Sequence, residues 1–219
     1  MITKEYISFF KGLEKDNNKE WFHANKSTYE THVKAPFIAL MDDLINEIQE
    51  FDSDISMNAK DSIFRINKDV RFSKDKTPYN TLMKAGVSPG GKRSELPGYY
   101  LGISADTIHM GGGLFNLDTT NLKKVRTYIV DNAEEFKKLI NDTTFVQHFE
   151  SLKGDQAKRL DTQFKAVQAE VPDIANKQFY AMTELPLKDY VGSEKLKSVI
   201  MDRFKLISPM VRFLKKALQ

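Results

Sequence analysis

The chain has 219 residues, 41% of them apolar and 29% charged, an ordinary balance for a folded domain and enough chain to bury one core. No apolar run approaches the ~18 residues of a membrane span, the start Met1-Ile2-Thr3-Lys4-Glu5 lacks a signal peptide's apolar stretch, and the absence of cysteine excludes disulfides and thiolate metal sites. A net charge of +3 does not argue for nucleic acid by itself, and the expectation is a cytoplasmic protein forming one domain over residues 1–219.

Residues 1–57 read as helical. Ile2, Tyr6, Phe9, Phe10 and Leu13 recur at three- and four-residue steps, with Thr3 placed to cap the helix. Asn18 can cap a second helix from Lys19. Pro36 suits the first turn of a third, whose stripe is Val33, Phe37, Leu40, Met41, Leu44, Ile48 and Phe51.

Residues 60–115 read as strand-rich. Over residues 64–72 the period changes to two: Phe64, Ile66, Lys68, Val70 and Phe72 share one face, and Arg65, Asn67, Asp69 and Arg71 the other. A strand here would set Arg65 and Arg71 about 20 Å apart at ~3.3 Å per residue. Residues 73–79 form a turn, with Thr77 extended before Pro78. Residues 99–115 form a hairpin around Ala105-Asp106, in which Ile103 faces Ile108 and Leu101 faces Met110.

Residues 118–219 read as mostly helical. Asp118, Asp131 and Asp142 are candidate caps, Gln178-Phe179-Tyr180 a last short strand, and Pro209 a kink or break in the C-terminal helix. Strands in the middle with helices on both sides predict an α+β fold: one mainly antiparallel sheet packed by N-terminal and C-terminal helices.

Charge is unevenly spread. Residues 1–57 hold six Lys/Arg against eleven Asp/Glu, whereas residues 58–93 hold nine against three. Within that basic segment Arg65 and Arg71 are suited to clamp a carboxylate or phosphate with paired N–H donors, and Lys74 and Lys76 to add point charges. Tyr79, Tyr100 and His109 would complete such a pocket. Asp69, Asp75 and His109 are the candidate acid/base groups, His109 because its ordinary pKa lies near neutrality.

Two alternatives use the same residues. A nucleic-acid module would run a phosphate backbone along the cations and stack bases on Trp21 or Tyr79. A non-catalytic interaction protein would need the block only as an ion-pair network, with Asp69 bridging Arg65 and Arg71 and Asp75 tying the turn. No cofactor is expected, because Gly111-Gly112-Gly113 continues into Leu114-Phe115-Asn116 and lacks the Lys-Ser/Thr of a phosphate-binding loop. The scattered His23, His32, His109 and His148 make no metal pair.

Several blocks are similar to a bacterial family catalogued as domain of unknown function 2461. They are Asn18-Lys19-Glu20-Trp21-Phe22-His23-Ala24-Asn25-Lys26; Phe64-Arg65-Ile66; Arg71-Phe72-Ser73-Lys74-Asp75-Lys76-Thr77-Pro78-Tyr79; Gly98-Tyr99-Tyr100; and Gly111-Gly112-Gly113-Leu114. The resemblance spans nearly the whole chain. It implies a stand-alone domain and no particular activity. Lys177 resembles the family's later lysine. Relatives often carry a Lys-Arg-x-Pro-x-Gly-Phe stretch, but Lys158-Arg159-Leu160-Asp161-Thr162-Gln163-Phe164 lacks both its Pro and its Gly.

Overall fold

The structure is a computed structural model describing residues 1–219. The apolar stripe near the N-terminus winds into α1 (Lys4–Lys15), burying Tyr6, Phe9, Phe10 and Leu13. Thr3 occupies its cap position, but the hydroxyl bonds the Glu5 carboxylate instead of a backbone N–H. The side chain of Asn18 accepts from the Trp21 N–H and starts α2 (Lys19–Ala24).

A continuous helical run follows: α3 (Lys26–Thr28), a π-wound stretch (Tyr29–Lys34) and α4 (Ala35–Phe51). Pro36 lies in the first turn of α4, but the π-wound stretch runs into that turn without a break, so its missing N–H falls inside a continuous helical run and not at a free helix start. The short α5 (Ala59–Ser62) then leads toward the sheet.

The sheet has four antiparallel strands in sequential order: β1 (Leu82–Val87), β2 (Gly98–Ser104), β3 (Thr107–Leu114) and β4 (Phe179–Pro186). In the β2–β3 hairpin Ile103 pairs with Ile108 and Leu101 with Met110, the register the alternation predicts. β4 extends beyond Tyr180, and β1 is an additional strand. Between β3 and β4 lie α6 (Thr119–Asp131), α7 (Ala133–Ile140), α8 (Thr143–Phe149), α9 (Thr162–Gln168) and a 3₁₀ turn (Pro172–Ala175). Asp118 and Asp142 cap α6 and α8 through backbone N–H groups. Asp131 does not cap α7. It is the last residue of α6, and Asn132 stands at the junction with its side chain turned back to the Tyr128 carbonyl.

A 3₁₀ turn (Leu187–Asp189) leads from β4 to α10 (Lys195–Lys216), which continues through Pro209 and is not split there. Pro209 leaves the Lys205 carbonyl without its helical donor. The Ser208 hydroxyl donates to that carbonyl instead, at 2.9 Å.

Strand pairing sorts the sheet residues into two faces. Met83, Ala85, Tyr99, Leu101, Met110 and Ala181 point into the core, against α10 and the N-terminal helices. The Tyr6 hydroxyl donates to the Ile103 carbonyl at 2.8 Å and ties α1 to β2. The opposite face carries Lys84, Gly86, Tyr100, Gly102, His109 and Met182, whose longer side chains stay only half-buried. No helix is long and apolar enough to cross a membrane.

Residues 64–72 do not form the straight strand that their alternation predicts. Ile63 bridges to Ala85, and the Phe64 N–H donates to the Lys84 carbonyl, so the chain touches the outer edge of β1. It then changes partner. Asn67 bridges to Tyr79, the Lys68 N–H donates to the Pro78 carbonyl, and the Asn80 N–H donates to the Ile66 carbonyl. The segment therefore folds back on itself and closes a loop over residues 69–77. Alternation survives in burial as far as Val70, but Phe72 ends 94% exposed.

Candidate functional site

The loop is held together by its own charges. Arg71 donates to both oxygens of Asp69, at 2.9 and 2.7 Å. Asp75 accepts from the Lys68 ammonium at 2.8 Å, the Thr77 N–H at 2.9 Å and the Thr77 hydroxyl at 2.8 Å. Lys76 donates to the Val70 carbonyl at 2.9 Å and draws the ends of the loop together. These bonds hold the Asp69 and Asp75 carboxyls below the usual range, through Arg71 in the first case and through Lys68 and then Thr77 in the second. A carboxylate satisfied by three donors, as Asp75 is, makes a poor general base.

Of the basic side chains of residues 58–93, only Lys68 and Arg71 pair with a carboxylate; among the others are Arg65, Lys84 and Arg93. All three line one cleft of about 660 Å³, together with Lys68, Arg71 and Asp69. Each reaches it from a different element. Arg65 comes from the segment beside β1, Lys84 from the open face of β1, and Arg93 from the turn after β1. Lys92 positions that turn by donating to the Ile63 carbonyl at 2.7 Å. Lys84 is half-buried, its ammonium 5.9 Å from the centre of the Phe64 ring and 3.4 Å from the Asn80 side-chain oxygen. Burial, then the charge of Lys68, pushes its pKa down. Both effects favour the arrival of a negative group.

The residues singled out in the sequence divide between places. Arg65, Arg71 and Asp69 meet at the cleft. Asp69 pairs with Arg71 alone and does not bridge to Arg65. Lys74 is exposed, forms no ion pair and lies outside the cleft lining. Tyr79 is buried, stacked on Phe22 at 4.1 Å and 16°, with its backbone clamped by both ends of the Asn17 amide. Trp21 is half-buried, packed over Gly12 and against Phe9 at 5.3 Å between rings.

His109 shares a row of the open face with Lys84, across Gly102, about 10 Å away at ~4.8 Å per strand. Its Nδ1 lies 3.0 Å from the Glu184 carboxylate on β4. The two residues form a pair, and no group of three or more His, Asp or Glu is gathered as a metal site.

Sequence reading missed Lys68, Lys84 and Arg93 as site residues. Their signal was the basic excess of residues 58–93, and for Lys84 the alternation of Met83, Ala85 and Val87 around it.

Tyr100 lines a separate cavity of about 350 Å³ on the open face of the sheet, with Phe115, Tyr180 and Phe64 among its walls. Within the triglycine run, Gly112 lies beneath α10, where a Cβ would meet Ile207 and Val211 at 3.1 and 3.2 Å. Gly113 adopts φ +128°, a conformation reserved in practice for glycine, and borders the aromatic cavity. Gly112 therefore serves close packing of β3 on α10, whereas a Cβ at Gly111 or Gly113 would meet the β4 backbone.

No curated protein matches the chain. A family model described as a conserved hypothetical protein, DUF2461, matches residues 5–213, nearly the full length, and the chain belongs to that family.

Proposed function

We propose that the basic cleft binds a small molecule through a phosphate or carboxylate group. One observation carries this reading: Arg65, Lys84 and Arg93 converge on one cleft without carboxylate partners, while the neighbouring charges are neutralised within the loop. Gathering unpaired cations is unfavourable unless an anion offsets their repulsion. Two guanidinium groups and an ammonium suit the planar, multi-oxygen geometry of phosphate or carboxylate.

The test is thermal unfolding of the full chain with inorganic phosphate, phosphorylated metabolites, dicarboxylates and a short oligonucleotide, each at about 50 and about 200 mM salt. A ligand at 100 times its Kd adds about 2.7 kcal/mol, which is roughly 5–10 °C at ~2–4 °C per kcal/mol. Arg65→Ala and Arg93→Ala should each abolish the shift while leaving the unliganded melting temperature near that of the parent. If no anion raised the melting temperature, the proposal would fail. A shift confined to the oligonucleotide and lost steeply with salt would replace it with nucleic-acid binding.

A further inference from the structure

The cleft has an apolar neighbour that its own chemistry does not require. The cavity of about 350 Å³ beside it is walled by Tyr100, Phe115, Tyr180, Phe64 and Leu96. Tyr100 and Phe115 lie 6.1 Å apart between ring centres, and Phe115 and Tyr180 4.6 Å apart at 31°, so three rings stand side by side. Phe115 and Leu96 are two of only five large apolar side chains that the fold leaves exposed, at 37% and 42%. Exposed apolar side chains gathered at a cavity mouth mark a binding surface more often than scattered ones do. The floor includes Gly86, Gly98 and Gly113, so no side chain from those positions fills the space.

The cavity and the basic cleft are adjacent and share one side chain in their walls. Phe64 lines both. Its ring lies 3.4 Å from where a Cβ on Gly86 would stand. Gly86, in the cavity, and Lys84, in the cleft, are alternate residues on the same face of β1, about 7 Å apart at ~3.4 Å per residue. The same short turn sends Lys92 to the cavity side and Arg93 to the cleft side.

Resting on the anion-binding reading above, we propose that the ligand is an aryl anion: a flat aromatic body of one or two rings held in the cavity, with its phosphate or carboxylate in the cleft. A cavity of ~150 Å³ accommodates benzene, and small-molecule pockets begin at roughly 300 Å³, so this one has room for two fused rings. A single slot of that size takes one ring system. Single-stranded nucleic acid needs a succession of stacking faces along a groove. Here the same sheet face continues instead into the His109–Glu184 pair, which adds a carboxylate.

Isothermal titration of the full chain with 1-naphthyl phosphate, inorganic phosphate, 1-naphthol and a short oligothymidylate tests the idea. Naphthyl phosphate is expected to bind at least about tenfold more tightly than inorganic phosphate, since burying an aryl body removes substantial apolar surface from water. Phe115→Ala and Leu96→Ala should lower naphthyl phosphate affinity toward that of phosphate and leave phosphate affinity unchanged. Both side chains are more than a third exposed, so the fold should tolerate truncation, and the melting temperature checks this.

Equal affinity for the two phosphates, or indifference to both variants, would overturn the aryl anion while leaving the anion cleft standing. Naphthol binding as tightly as its phosphate would sever the cavity from the cleft and also overturn it. Silence from both phosphates, and from 1-naphthoate titrated alongside them, would remove the anion reading, and the aryl anion with it. Binding of oligothymidylate in preference to naphthyl phosphate would overturn the small-molecule assignment.

Discussion

Lys215 and Asp52, 163 positions apart in sequence, form a buried ion pair that joins the end of α10 to the end of α4. The second Asp52 oxygen accepts the hydroxyl of Tyr99 on β2 at 3.0 Å. Three elements thus meet at one carboxylate. Lys215→Met would leave that carboxylate buried with only the tyrosine, and should destabilise the protein by about 3–5 kcal/mol. Lys215→Met combined with Asp52→Asn should recover much of the loss, because the charge is then gone while the Tyr99 acceptor remains. Urea unfolding of the single and double variants measures both.

Gly112 of β3 packs directly against α10. A Cβ there would meet the Gly98 carbonyl oxygen at 2.8 Å as well as Ile207 and Val211, and the backbone oxygen cannot move aside cheaply. Gly112→Ala should cost about 1–3 kcal/mol through overpacking. Gly91, with open space around it but φ +90°, is the contrasting case in which any cost is conformational. Melting curves of the two alanine variants, with the packing variant compared against Ile207→Ala in the same background, separate the two causes.

The buried phenols make stability sensitive to alkali. Burial pushes the hydroxyl of Tyr29 up to about 12, with the charge of Glu30 adding to the effect. Burial likewise raises Tyr6 and Tyr99, which sit deeper. A raised folded-state pKa means that the unfolded chain loses its protons first. The stabilising contribution is therefore complete below the ordinary phenol value of ~10 and declines as pH rises through 12. Phenolate absorbance should accordingly show a late class of tyrosines that ionises together with loss of tertiary signal. Smooth titration of all eight tyrosines near their ordinary value would contradict this.

Asp69 is the one carboxylate that lines the cleft, and it engages Nε and Nη2 of Arg71. The pair is largely exposed, so Asp69→Asn should move the melting temperature by no more than about 2 °C. It removes one negative charge from the cleft and frees the guanidinium. Phosphate affinity should rise on the order of fivefold, read by calorimetry at low salt.

What the sequence determined by itself was whatever depends on near neighbours. The caps at Asn18, Asp118 and Asp142 and the hairpin register of β2 and β3 are local, because a capping oxygen reaches only two or three residues and a tight turn sets its own pairing. The tertiary structure decided the rest. Alternation in residues 64–72 specifies which side chains turn inward, yet not which strand the backbone will pair with, and the chain exchanges β1 for residues 78–80 partway along. Pro209 weakens a helix locally, but the buried stripe of α10 and the Ser208 hydroxyl outweigh the missing bond. The candidate site follows the same division. Arg65 and Arg71 were visible as a basic pair. Lys84 and Arg93 joined them only when β1 took its place in the sheet and the turn after it closed over Phe64, because a cleft is made by long-range contacts that no short stretch of chain encodes.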